Sequence, residues 1–114
     1  MSLYATGIVR IISDPQLRAF DSGTMVCNFA GGIHEGKDKA GNWINNAIDI
    51  EAWGRSAEII TDKVRKGDSI CVTGMIRRQE WDDKETGKKR SKHVLSVSRF
   101  EFLPRSAAAS EDVF

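Results

Sequence analysis

With 114 residues the chain holds one domain of ordinary size, and 40% hydrophobic with 29% charged residues excludes a disordered polymer. Its 17 basic and 16 acidic residues leave a net charge of +1, so bulk charge cannot drive nucleic-acid binding; that role needs uneven placement. No apolar run approaches the ~20 residues that cross a bilayer as a helix, and no charged-then-apolar leader opens the chain, which points to the cytoplasm.

Residues 4–12 read as the first strand, closed by the turn signal Ser13-Asp14-Pro15. Asp21-Ser22-Gly23 marks the next turn. Residues 24–30 follow as a second strand with Val26, Cys27 and Phe29 as its apolar members; the apolar side chains of this strand and the sheet surfaces beside it are the expected contact between copies. Residues 31–42 are polar and glycine-rich, with Lys37 and Lys39 near the centre, and predict an exposed loop.

Residues 45–53 carry the clearest strand pattern. Ile48, Ile50 and Ala52 alternate with Asp49, Glu51 and Trp53, so Trp53 falls on the polar face. A ring there either covers a neighbour or offers a platform. A helix follows, with Ser56 as its expected N-cap, Ala57, Ile60 and Val64 on one face, and Gly67 just past its end.

Residues 69–81 return to strand, with Ile70, Val72, Gly74 and Ile76 on one face. Residues 82–89 form a hydrophilic hairpin loop, and residues 92–103 the last strand. Leu95 and Val97 share one parity, Phe100 and Phe102 the other, which demands a bulge near Ser98-Arg99.

Three strands, one helix and two strands predict an all-β, five-stranded OB-fold barrel over residues 1–104, with the helix between strands 3 and 4. An SH3-like barrel or an α+β sandwich fits the count less well. Residues 105–114 read as a short acidic tail.

Groups for catalysis are sparse. His34 and His93 lack carboxylate or cysteine at ligand spacing, so neither a metal nor a cofactor is expected. Cys27 and Cys71 lie in apolar runs without CxxC spacing and read as buried thiols in a reducing compartment. The segment from Gly31 to Lys37 matches GxxxxGK, but Asp38 stands where the phosphate-binding loop needs Ser or Thr, so that reading fails.

What remains is a pattern of bases and rings. Seven basic residues (Arg77, Arg78, Lys84, Lys88, Lys89, Arg90 and Lys92) and four acids lie around Trp81, a local balance of +3. Single-stranded nucleic acid is held by this chemistry: bases stack on rings while Lys and Arg track phosphates. Trp53 on another strand's polar face supports the reading, whereas Asp49 and Glu51 beside it oppose phosphate.

The chain also resembles the bacterial single-stranded-DNA-binding protein family, nearly end to end. Gly7-Ile8-Val9-Arg10, Asp14-Pro15-Gln16-Leu17-Arg18 and Val26-Cys27-Asn28-Phe29 are similar to its opening strands and turn. Ala52-Trp53-Gly54-Arg55-Ser56-Ala57-Glu58, Val64-Arg65-Lys66-Gly67-Asp68 and Trp81-Asp82-Asp83 continue the likeness.

The resemblance implies a homotetramer that wraps single-stranded DNA without sequence preference in replication, recombination and repair. It implies stacking by Trp53 and Trp81. It also implies phosphate contacts from the basic residues of the matched segments and loops: Arg10, Arg18, Lys37, Lys39, Arg55, Arg77, Arg78, Lys84, Lys88, Lys89 and Arg90. Ala47 stands where relatives often carry a tryptophan, and Trp43 substitutes for that ring or for one in the preceding loop.

Glu111, Asp112, Val113 and Phe114 resemble the family's acidic tip, which docks replication and repair enzymes. Competing readings are a primosomal or phage-type accessory factor with weaker or RNA-directed binding, a hydrolase using Asp82 and Asp83, and a subunit without ligand.

Overall fold

The alternation in the middle of the sequence is the centre of a longer strand. In the computed structural model, which describes residues 2–104, β1 (Tyr4–Ile11), β2 (Gln16–Ala19), β3 (Met25–Lys37) and β4 (Trp43–Trp53) come first. Helix α1 (Gly54–Lys63), β5 (Ser69–Asp82) and β6 (Lys89–Phe102) complete the order. The sheet runs β1-β5-β6-β4-β3-β2, and β1 pairs again with β3 through Arg10↔Gly32 and Ile11↔Gly31. Five strands therefore close into a barrel and β2 hangs on its outside. This is an OB-fold.

Two expectations need correction here. The helix follows the fourth strand of the described chain, because four-residue β2 precedes the strand expected as second. Residues 31–37 are strand rather than loop: β3 stays paired with β4 from Val26↔Trp53 to His34↔Asn45. Their glycines serve closure. A Cβ on Gly31 would lie 2.7 Å from Ile50 Cδ1 and 3.0 Å from Val9 Cβ, so only glycine lets β1 and β3 meet.

The core fills with Val9, Ile11, Cys27, Phe29, Ile50, Ile70, Val72 and Leu95 from the strands. Ala57, Ile60 and Val64 enter from the helical side, which packs on β3 and β4. Burying a side chain such as Ile60 stabilises by about 1.5–3 kcal/mol. Val26, Cys27 and Phe29 are buried within this same chain, so these side chains do not supply the contact expected between copies. Burial also pushes the Cys27 thiol up from its ordinary value, which makes it an inert packing group.

Ser56 is not the N-cap. Trp53 occupies that place without a side-chain cap bond, and Gly54 at φ +61 turns strand directly into helix. Nor does Val64 belong to the helix: it is the extended C-cap, yet still buried. The following turn is tied to β1 and its DP turn. Asp14 Oδ1 accepts from the Lys66 N–H at 2.7 Å, and Ile11 exchanges backbone bonds with Gly67 and Asp68. The bulge lies where the sequence demands it: pairing steps from Thr73↔Arg99 to Gly74↔Val97, leaving Ser98 unpaired. A Cβ on Gly74 would run into the Ser96 carbonyl, so the bulge needs glycine there.

Candidate nucleic-acid interface

Strand alternation sends Ile50 and Ala52 inward and turns Trp43, Asn45, Ala47, Asp49, Glu51 and Trp53 outward. Beside them, antiparallel pairing sets Val26 against Trp53 and Asn28 against Glu51, while β6 runs parallel with Asp49↔Val94. A hollow of about 500 Å³ forms over this face. Val26 and Val94 line it with Arg18, Asn28, Asp49, Glu51, Trp53, Gln79 and Lys92. A second hollow of about 440 Å³ shares Gln79 and Lys92 and reaches Trp81. The two meet at Gln79 and Lys92 and together trace a path from Trp53 to Trp81.

At one end stands Trp53, 39% exposed. Its Nε1–H donates to Glu51 Oε2 at 2.6 Å, and Phe20 lies beside it, rings 13° from parallel and centroids 5.9 Å apart. The Arg18 guanidinium sits 5.9 Å from the Phe20 centroid and donates to Asn28 Oδ1 at 3.0 Å. Sequence reasoning missed Phe20. Its signal was the spacing Gln16, Arg18, Phe20, which puts all three on one side of an extended chain.

At the other end is Trp81, 46% exposed, with Lys92 Nζ 5.9 Å from its centroid. The same ammonium pairs with Asp49 Oδ2 at 3.4 Å, which neutralises one of the two carboxylates expected to repel phosphate. The other, Glu51, is 1% exposed and receives Arg77 Nη1 and Gln79 Nε2 on Oε1, each at 3.4 Å. Neither acid is an open negative charge.

Trp43 is the most exposed indole, 58%, at the start of β4 opposite Lys37. Lys37 Nζ lies 4.9 Å over its ring and His34 meets it edge-on at 6.2 Å. Ten residue steps along the strand separate it from Trp53, roughly 33 Å. It forms a separate cluster at the β3–β4 hairpin, where Lys39 is also exposed.

The remaining bases divide by what they touch. Arg78 pairs with Glu80 at 3.1 Å and Arg90 with Asp83 at 3.0 Å, so neither is a fully available cation. Arg55 sits in the first helical turn near Glu58, and Arg10 Nε donates to Gly67 O at 3.4 Å; neither lines the hollows. Lys84, Lys88 and Lys89 at the β5–β6 hairpin are exposed and, among the described residues, make no ion pair.

The sequence model of the Single-strand binding protein family matches residues 6–103. The chain belongs to that family. Single-stranded DNA-binding protein 1 of a Synechocystis species is 36% identical over 93 residues, 79% of this chain and 74% of the relative. Single-stranded DNA-binding protein of Thermosynechococcus vestitus is 33% identical over 95 residues, 82% and 76% of the two chains. That of Treponema pallidum is 30% identical over 108 residues, 90% of this chain and 60% of its own length. The family match covers both ends of the path, Arg18 in β2 with Phe20 just after it as well as β5 with Trp81.

Proposed function

We propose that the chain binds single-stranded DNA without sequence preference and coats it during replication, recombination and repair. One observation carries the reading: rings and cations follow each other along one outer path, from Phe20 and Trp53 past Lys92 to Trp81. Bases stack on the rings because every base has a flat face, while cations at the rim meet the backbone. Trp43 with Lys37 and Lys39 extends the track at the β3–β4 hairpin. Lys84, Lys88 and Lys89 extend it at the β5–β6 hairpin. The role is binding rather than catalysis, without metal or cofactor, in the cytoplasm with the nucleoid. Titration with oligo-dT should quench tryptophan fluorescence, and a duplex of equal length should not. Equal quenching by both would overturn the reading, and stronger quenching by oligo-rU would redirect it to RNA.

The chain assembles as a homotetramer, and β1 is the favoured contact. One edge of β1 pairs with β5 from Tyr4 to Arg10, while on the other edge, among the described residues, only Arg10 and Ile11 meet β3. Tyr4 and Ile8 stand exposed beside this open edge. An unpaired edge carrying exposed apolar side chains suits antiparallel pairing with the same strand of a second copy. A monomeric mass at micromolar concentration would sink this assembly. The acidic segment Glu111, Asp112, Val113 and Phe114 lies outside the described residues; as a proposal, it hooks basic pockets on replication and repair proteins.

A further inference from the structure

Glu51 is the one charged side chain buried among the described residues, and it is buried on the face that meets DNA. A carboxylate there is costly twice over: it loses hydration, and it opposes phosphate. Its bonds show what it is organised around. The short one, 2.6 Å, comes from the Trp53 indole, whereas the Arg77 and Gln79 donors stand off at 3.4 Å. Glu51 and Trp53 are two apart on one strand, so the bond ties the indole edge down along β4. Phe20 steadies the same ring from the side. Trp43 and Trp81 have no such anchor: among the described residues their Nε1 makes no hydrogen bond, and each is met by a lysine.

We infer that Glu51 is a positioning residue, whose buried carboxylate holds the Trp53 ring in its base-stacking orientation before DNA arrives. A ring fixed in advance loses less rotational freedom on binding, worth roughly two- to tenfold in affinity. Arg77 and Gln79 occupy the remaining oxygen and keep the carboxylate tolerable in its dry surroundings. The inference rests on Trp53 being a stacking platform, as proposed above.

Two variants separate reach from charge. Glu51→Asp keeps the charge but draws the carboxylate back by one methylene, out of reach of the indole. Glu51→Gln loses the charge but keeps one acceptor oxygen within reach of the indole; its NH2 takes the place of the oxygen that Arg77 and Gln79 donate to, so those two donors are released. Positioning predicts that Glu51→Asp binds oligo-dT roughly two- to tenfold more weakly, and that Glu51→Gln binds more tightly, since an anion has left a phosphate-binding face.

Time-resolved anisotropy of the free protein, with Trp43 and Trp81 replaced by Phe, should show a freer Trp53 in Glu51→Asp and an unchanged one in Glu51→Gln. Aspartate binding as tightly as the parent, with its ring no freer, would overturn the inference. If Glu51→Asp fails to fold by thermal melt, Glu51→Leu replaces it. Loss of the anion alone would tighten its binding; positioning predicts weaker binding, and tighter binding overturns it. Trp53→Ala distinguishes the underlying reading: unchanged affinity there removes the platform itself, whereas weakened binding with a silent Glu51→Asp removes only the positioning.

Discussion

Trp53 and Trp81 share one path yet are mounted differently. Trp53 is held at its N–H by Glu51 and flanked by Phe20, at a strand end that turns directly into the helix. Trp81 stands on a hairpin arm with a lysine 5.9 Å from its centroid and, among the described residues, no acceptor for its indole. The first mounting spends buried contacts to fix orientation. The second leaves the ring free to follow a base and couples it to a cation that salt can screen. Binding through the Trp53 end should therefore depend on shape, and through the hairpin end on ionic strength.

The largest expected effects come from removing the rings. Trp53→Ala and Trp81→Ala should each weaken oligo-dT binding by roughly 1–3 kcal/mol, with Trp53 the more costly because its platform is fixed in advance. Fluorescence titration at two salt concentrations sharpens the contrast. The Trp53 deficit should stay constant, while the Trp81 deficit shrinks at high salt. A Trp53 deficit that shrinks equally would break the comparison.

Next comes the hairpin charge. Lys88 and Lys89 are exposed and unpaired among the described residues. For single strands, log affinity falls with log salt at a slope of about −0.7 per neutralised phosphate. Replacing both lysines by Glu should flatten that slope by about 1.4 if each meets one phosphate. Arg78→Glu should change it less, because that guanidinium already faces Glu80. Lys92→Met is a smaller perturbation: it removes a cation–π contact worth roughly 0.5–1 kcal/mol at exposed sites and leaves Asp49 without its partner. Oligonucleotide titrations of the three variants across a salt series check all of these.

Much of this was legible in the sequence because its signals are local. Alternation over 45–53 fixed the face of Trp53, and the parity switch between Val97 and Phe100 announced the bulge at Ser98. What was missed is set by distant partners. Strand β2 is four residues between two turn signals, too short for a period to show. The glycines of β3 read as loop because their reason, the approach of Val9 and Ile50, comes from other strands. Glu51 read as hostile to phosphate until β5 brought Arg77 and Gln79, 26 and 28 residues away, onto its oxygen. The count of bases around Trp81 was true in sequence but too generous in space, since Arg77, Arg78 and Arg90 each face an acid.

The smallest expected effect concerns what shapes the hairpin arm. Asp83 N–H donates to Lys88 O at 2.8 Å and Asp83 O accepts from the Gly87 N–H at 2.7 Å, closing the turn. Its carboxylate accepts the Glu85 N–H at 2.9 Å and Arg90 Nε at 3.0 Å. These bonds, the Glu85 N–H foremost, hold the Asp83 carboxyl below its ordinary value. A carboxyl whose proton is bound less readily in the folded state adds stability above its unfolded pKa and loses it as pH falls through the lowered one. The turn should thus be intact at neutral pH and loosen only in acid below the usual carboxylate range. The side-chain carboxyl carbon resonance of Asp83 should titrate there. Titration of that carbon within the ordinary carboxylate range would mean that the turn does not hold the charge. Because Asp83→Asn weakens the hold on Arg90, one guanidinium becomes freer to meet phosphate, and the salt slope should steepen by a fraction of one contact. A slope unchanged or flattened in this variant would show that Arg90 serves the arm's shape and not its charge.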